Sequence, residues 1–93
     1  MKRKIKYSFI VPTFNSEKTI KNCLSSIKKQ KLKNSEIIVV DDCSTDKTVK
    51  IAKKYAQKII IKEKRSGPAK SRNLGWKIAE GDVCIFVDSD VYL

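Results

Sequence analysis

The run Ile37-Ile38-Val39-Val40 is apolar at four successive positions and stops at Asp41-Asp42. Side chains alternate between the two faces of a strand, so a run with no polar position is buried on both sides. That is the pattern of a central strand in a parallel sheet with helices above and below it.

The rest of the chain agrees with such a sheet. Tyr7 to Val11 is β-rich and ends at Pro12, which breaks the ladder. Ser16 reads as an N-cap, with Ile20, Cys23, Leu24 and Ile27 at helical spacing through about Gln30. Ser44 or Thr45 opens a second helix, in which Val49, Ala52 and Ala56 form one stripe and Ile51 and Tyr55 broaden it. Ile59 to Ile61 is a third strand. Gly67-Pro68 begins a third helix, with proline suited to its first turn, carrying Ala69, Leu74, Trp76, Ile78 and Ala79. Gly81 ends it, and Val83 to Val87 is a fourth strand. The order β-α-β-α-β-α-β predicts a single α/β domain over residues 1–93. Its architecture is a Rossmann-like three-layer α/β/α arrangement with a four-stranded, mainly parallel sheet and right-handed crossovers.

In such sheets ligands bind beyond the carboxyl ends of the strands. The residues there are Pro12-Thr13-Phe14-Asn15, Asp41-Asp42-Cys43-Ser44, Lys62-Glu63-Lys64-Arg65 and Asp88-Ser89-Asp90. If the last run is a strand, Asp88 and Asp90 point to one face and offer hard oxygen ligands to Mg²⁺ or Mn²⁺ bridging a phosphate. Alone, Asp-Ser-Asp reads first as a polar turn after a buried strand. At least one of Asp41 and Asp42 faces the crevice, where a carboxylate accepts from a base N–H or a ribose hydroxyl; one of the pair serves alternatively as a helix cap. Ser44-Thr45-Asp46 reads as local capping. Arg65, Lys70 and Arg72 surround the Ser66-Gly67-Pro68-Ala69 helix start, a combination suited to pyrophosphate. Neither Walker nor GxGxxG spacing is present.

Composition narrows the partners. The net charge of +11 over 93 residues comes from 18 Lys and 3 Arg against 10 acidic residues, which attracts polyanions. The lysines are spread along the chain without interleaved aromatics, so they read as a solvated surface and not as a nucleic-acid stripe. Cys23, Cys43 and Cys84 show no CxxC spacing, which points to a reducing, cytoplasmic setting; Cys23 and Cys84 read as small core residues. Met1-Lys2-Arg3-Lys4 is basic, but Phe9 to Val11 is too short for a signal or a membrane span. The absence of histidine excludes histidine triads and most zinc sites, leaving carboxylates for acid–base work.

Four stretches together resemble the inverting family 2 glycosyltransferases with the GT-A nucleotide-sugar-binding fold. They are Ile10 to Asn15, Glu36 to Asp46, Gly67 to Gly75, and Gly81-Asp82 through Val87-Asp88-Ser89-Asp90. The resemblance implies a donor site for a nucleoside-diphosphate sugar, a UDP-sugar first. Pro12 and Thr13 would line the nucleoside pocket with Asn15 and Asp41 beside them, Asp42 would accept from the base, and Arg72 would face the diphosphate. Asp88 would contact ribose or the metal shell, and Asp90 would coordinate Mn²⁺ or Mg²⁺. Cys43 departs from the small turn residue that is common after the Asp pair.

In the family the catalytic base and acceptor site follow the Asp-x-Asp segment. The expectation is therefore a donor-binding half, truncated after that segment, which transfers sugar poorly on its own. Glu63 and Glu80 read as surface charges, not substitutes for the base. The acceptor is left open. A non-catalytic nucleotide-binding or subunit-interaction module is the alternative. Self-association or pairing through the edge of the fourth strand, and peripheral membrane association at the inner face, are further expectations.

Overall fold

Each of the four apolar runs forms a strand, and each connection between them carries a helix. The computed structural model describes residues 4–30 and 32–93; the basic segment Met1 to Arg3 lies outside the described residues. In chain order the elements are β1 (Tyr7–Thr13), α1 (Ile20–Lys29), β2 (Ser35–Asp41), α2 (Thr48–Ala52), β3 (Lys58–Ile61), α3 (Pro68–Ile78) and β4 (Val83–Phe86). The sheet order is β3-β2-β1-β4, and every pairing is parallel.

Alternation along the strands divides the core. Phe9, Val11, Ile37 and Val39 pack with Ile20, Cys23, Leu24, Ile27 and Ala52 beneath α1 and α2. Ile10, Ile38 and Val40 form a second buried cluster with Leu74 and Ala79 from the α3 side. The result is the expected three-layer α/β/α fold. Burial of each such aliphatic side chain contributes about 1.5–3 kcal/mol. Cys23 is core as expected, whereas Cys84 is only half-buried.

Four local expectations need correction. Ser16 does not cap α1; Thr19 is the N-cap, and the Ser16 carbonyl instead accepts the N–H groups of Thr19 and Ile20 in a preceding turn. The second helix begins at Thr48, not at Ser44 or Thr45, because those two residues are drawn into contacts with Asp41 and Asn15. Ala56 lies past that helix, although it still packs on the core. The fourth strand ends at Phe86, one residue early.

Pro12 explains that early ending. Val87 N–H donates to the Ile10 carbonyl (3.0 Å), so the next bond of the β1–β4 ladder would need an N–H on Pro12. None exists, and β4 stops. Towards β2 the strand continues, since the odd-numbered residues of β1 carry that ladder; Asp42 N–H reaches the Thr13 carbonyl at 2.9 Å. Pro12 thus breaks the ladder on one side only.

The sheet-facing line of α3 is small rather than apolar. Ser71 and Gly75 are buried, while Trp76 and Ile78 are exposed. A Cβ at Gly75 would sit 2.5 Å from Ile10 Cγ2 and 3.3 Å from Val40 Cγ2. Below it, buried Glu36 accepts from Ser8 Oγ (2.6 Å) and the Glu80 N–H (2.7 Å) and pairs with Lys58 (3.0 Å), fastening the end of α3 to β1, β2 and β3. Among the described residues no helix is long and apolar enough to cross a membrane.

Gly75→Ala should therefore lift α3 from the sheet and destabilise the domain by about 1–3 kcal/mol, as expected for overpacking. A urea midpoint equal to that of the parent chain would show that the contact relaxes without cost.

Candidate functional site

The strand order places a crevice at the carboxyl ends of β1 and β4. The chain runs outward from β1 to β2 and β3 and then returns to the other side of β1, so the connections leaving β1 and β4 diverge there. Two hollows open in it. One, of about 770 Å³, includes Pro12, Asn15, Glu17, Asp46, Asp88 and Asp90 in its lining. The other, of about 240 Å³, is lined by Pro12, Thr13, Phe14, Asp42 and Arg65 among others.

The two consecutive aspartates fall on opposite faces and take different work. Asp41 is buried and accepts from Thr13 Oγ1 (3.0 Å), Ser44 N–H (2.8 Å) and Ser44 Oγ (2.6 Å). It lines neither hollow; it ties the loop after β2 to the end of β1. Asn15 extends the same tie, its Oδ1 accepting the Thr45 N–H at 2.8 Å and its own N–H donating to Ser44 Oγ at 2.8 Å. Neither aspartate caps α2. The N-cap of α2 is Lys47, without a side-chain bond of its own, and Asp46 just before it accepts the Thr48 N–H at 2.9 Å.

Asp42 faces the smaller hollow from the α3 side. Its oxygens accept from the N–H groups of Ser66 (2.9 Å) and Gly67 (3.1 Å) and pair with Lys62 Nζ (2.9 Å), whose side chain is equally buried. Gly67 can present its N–H this way because its φ of 91° is open to glycine without penalty. Burial raises the Asp42 pKa, but these donors outweigh it and hold the carboxyl down at about 2. Across the hollow the Arg65 guanidinium lies 3.6 Å over the Phe14 ring, a cation–π stack that the strand-end pattern did not reveal. Phe14 carries no signal in the sequence beyond its position after β1.

Asp88 and Asp90 both line the larger hollow, though not by strand alternation. β4 has already ended, and the Val91 N–H bonds to the Asp88 carbonyl (3.0 Å) to close a turn. Ser89 Oγ meets Ser16 Oγ at 2.8 Å, which pins this turn to the loop after β1. Arg72 lines neither hollow but reaches Asp88 at 3.8 Å across an exposed gap. Beneath the turn, burial and the nearby Asp90 and Asp88 carboxylates push the Cys23 thiol up to about 11, so it stays protonated. Among the described residues no group of three or more His, Cys, Asp or Glu side chains could hold a metal ion. Two carboxylates at an open cleft fit a cation that shares its coordination with phosphate and water, not a protein cage.

Asn15 (φ 46°) and Cys43 (φ 66°) hold left-handed backbone beside the crevice. Cys43 thus holds at its turn a backbone conformation that favours glycine, and its thiol contacts the Lys62 carbonyl at 3.0 Å. Such positions cost on the order of 1–2 kcal/mol each and persist where the surroundings impose them.

The Asp42 shift carries a pH signature. Its folded pKa lies below the ordinary value of 3.8, so the unfolded chain binds more protons as pH falls, and stability is lost from about pH 4 down towards pH 2. Asp42→Asn should lower the urea midpoint near neutral pH and flatten this acid slope. Parallel slopes for the two chains would place the acid sensitivity elsewhere.

A family model described as glycosyl transferase family 2 matches residues 8–93. The poly(ribitol-phosphate) beta-N-acetylglucosaminyltransferase TarS of Staphylococcus aureus is 47% identical over 96% of this chain, which spans 17% of that relative's length. The S. aureus TarS 1-349 structure in complex with UDP-GlcNAc superposes with a TM-score of 0.88 at 47% identity, over 95% of this chain and 27% of that one. The mannosyltransferase PcManGT from Pyrobaculum calidifontis, in complex with GDP-Man and Mn²⁺, superposes with a TM-score of 0.89 at 26% identity, over 97% and 29%. These neighbours are GT-A enzymes, and this chain, with its Rossmann-like sheet and its strand-end crevice, belongs to glycosyl transferase family 2.

Proposed function

We propose that this chain forms the donor-binding part of a glycosyltransferase, holding a UDP-sugar with Mn²⁺ or Mg²⁺ for inverting transfer to a polyol-phosphate acceptor. The observation that carries the reading is the meeting of two hollows at one crevice, an aromatic–carboxylate slot beside a cleft that presents Asp88 and Asp90. The UDP-GlcNAc and Mn²⁺ complexes of the structural neighbours support the donor and the metal. The name of the staphylococcal relative supports the acceptor class.

In this reading the base enters between Pro12, Thr13 and Phe14. Asp42 uses three of its roughly four lone-pair positions in short contacts, and the fourth, which Arg65 Nε approaches only to 3.7 Å, is left for a base N–H. Asp41 and Asn15 act indirectly, by fixing the loops that bear Thr13 and Phe14. Arg72 swings from its exposed contact with Asp88 to the diphosphate, and that pair is weak enough to exchange. Asp88 and Asp90 are the residues that would hold the metal, which when bound offsets charge on the departing diphosphate.

An inverting transfer needs a carboxylate to take the acceptor proton. Glu80 pairs with Lys6 and Lys58 at the opposite end of the sheet. At the cleft, Asp46 is committed to the Thr48 and Glu17 N–H groups and Glu17 to that of Lys47. In this reading Glu17, Asp46 and Glu80 do not serve as that base. The edge of β4, where Val83 and Phe86 are exposed, is the surface on which further chain would pair.

Calorimetric titration with UDP, GDP and dTDP, with and without Mn²⁺, tests this reading. UDP with Mn²⁺ should bind, and Asp90→Ala should weaken the metal-dependent part roughly tenfold or more, the scale on which metal-site changes act. No heat in any combination would remove the donor reading.

A further inference from the structure

The net positive charge is not distributed evenly. α1 and α2 lie side by side on one face of the sheet, and both begin at the cleft. The Glu17 N–H donates to Asp46 (3.2 Å) and the Lys47 N–H to Glu17 (3.3 Å), so the two helix starts are joined there. From this junction two rows of exposed lysines lead away: Lys18 just before α1 with Lys21 and Lys28 along it, and Lys47 at the N-cap of α2 with Lys50 on that helix and Lys54 in its following turn. Lys18 itself lines the larger hollow with Asp88 and Asp90. At the far end Lys28 Nζ lies 5.6 Å from the centre of the Tyr55 ring, which brings the rows together across the helix pair.

None of these six lysines has a carboxylate within ion-pair distance among the described residues. Elsewhere Lys6, Lys58, Lys62, Arg65 and Arg72 face carboxylates, whereas Lys64, Lys70 and Lys77 on the α3 side have no ion pair among the described residues. The only acids on this layer, Glu17 and Asp46, are used up at the helix starts. Six like charges spaced along two helices repel one another, and a polyanion that replaces their counterions relieves that repulsion with a gain of ion-release entropy.

We infer that the α1–α2 face is a docking track for a phosphate-repeating polymer, the polyol-phosphate acceptor, leading it to the cleft. This rests on the acceptor class proposed above. The composition of the face favours a polymer over a bilayer. No large apolar side chain is exposed between Lys18 and Gln30 or between Lys47 and Gln57; the apolar groups bordering α1 are Tyr92, whose ring lies 6.0 Å from Lys29 Nζ, and Leu93, whose N–H reaches Ser26. A repeating phosphate chain needs only the row of cations, and the row ends at the cleft.

The test is anisotropy of labelled ribitol-phosphate oligomers on the 93-residue chain and on two variants that lose equal charge. Lys21→Gln, Lys50→Gln and Lys54→Gln together should weaken the oligomer roughly tenfold at low salt and reduce the slope of log affinity on log salt by about 2. Lys4→Gln, Lys64→Gln and Lys77→Gln together, away from the α1–α2 face, should change it by less than about twofold. UDP binding, measured on the same samples, should be unchanged in both, and its absence throughout would count against the donor reading alone. Equal losses in the two triple variants would reduce the track to net charge and overturn the inference. So would an unchanged affinity in the first variant, or binding to phosphatidylglycerol vesicles with none to the oligomer.

Discussion

At Pro12 the central strand of the sheet has no N–H to give, and the crevice depends on that absence. β1 pairs on both sides, but its two ladders use alternate residues. The even-numbered ladder towards β4 ends at the Val87 to Ile10 bond, while the odd-numbered one towards β2 runs on to Asp42. β2 therefore reaches further than β4, and the chain after β4 is released into a turn instead of being extended along the sheet. Asp88 and Asp90 come to the cleft through that turn. A residue with an N–H at position 12 would allow β4 to lengthen and carry Asp88 into the ladder.

The second constraint is the division of labour between Asp41 and Asp42. One carboxylate is spent inside the fold, where Thr13 and Ser44 satisfy it, and the loops after β1 and β2 are thereby held together. The other is turned to the α3 side, where Lys62 and two backbone donors hold it ionised. A buried carboxylate without such donors would be protonated or would destabilise the fold, and neither aspartate here lacks them. The strain at Asn15 and Cys43 sits in the same loops, so their left-handed backbone is imposed by this network of bonds.

Much of the architecture was legible in the chain. The four apolar runs, the Gly67-Pro68 helix start and the polar strand ends identify the element order, because each depends on local periodicity or on backbone chemistry at one or two residues. The two misplaced helix starts have a common cause. Ser16 and Ser44 look like caps when read locally, but Ser16 is claimed by Ser89, 73 residues away, and Ser44 by Asp41 and Asn15. Trp76 and Ile78 look like core by composition, yet the helix approaches the sheet through Ser71 and Gly75, because close contact needs small residues there.

The sequence by itself determined the parallel α/β plan, the carboxylates available to the cleft and the excess of lysine. Alternation, propensity and charge are properties of neighbours along the chain, so one dimension suffices for them. Only the tertiary structure decided which aspartate is structural and which faces the slot. It alone stacked Arg65 on Phe14 and gathered scattered lysines into two rows beginning at the cleft. Those outcomes depend on strand order and on which helix faces meet, and residues far apart in the chain carry no mark of becoming neighbours.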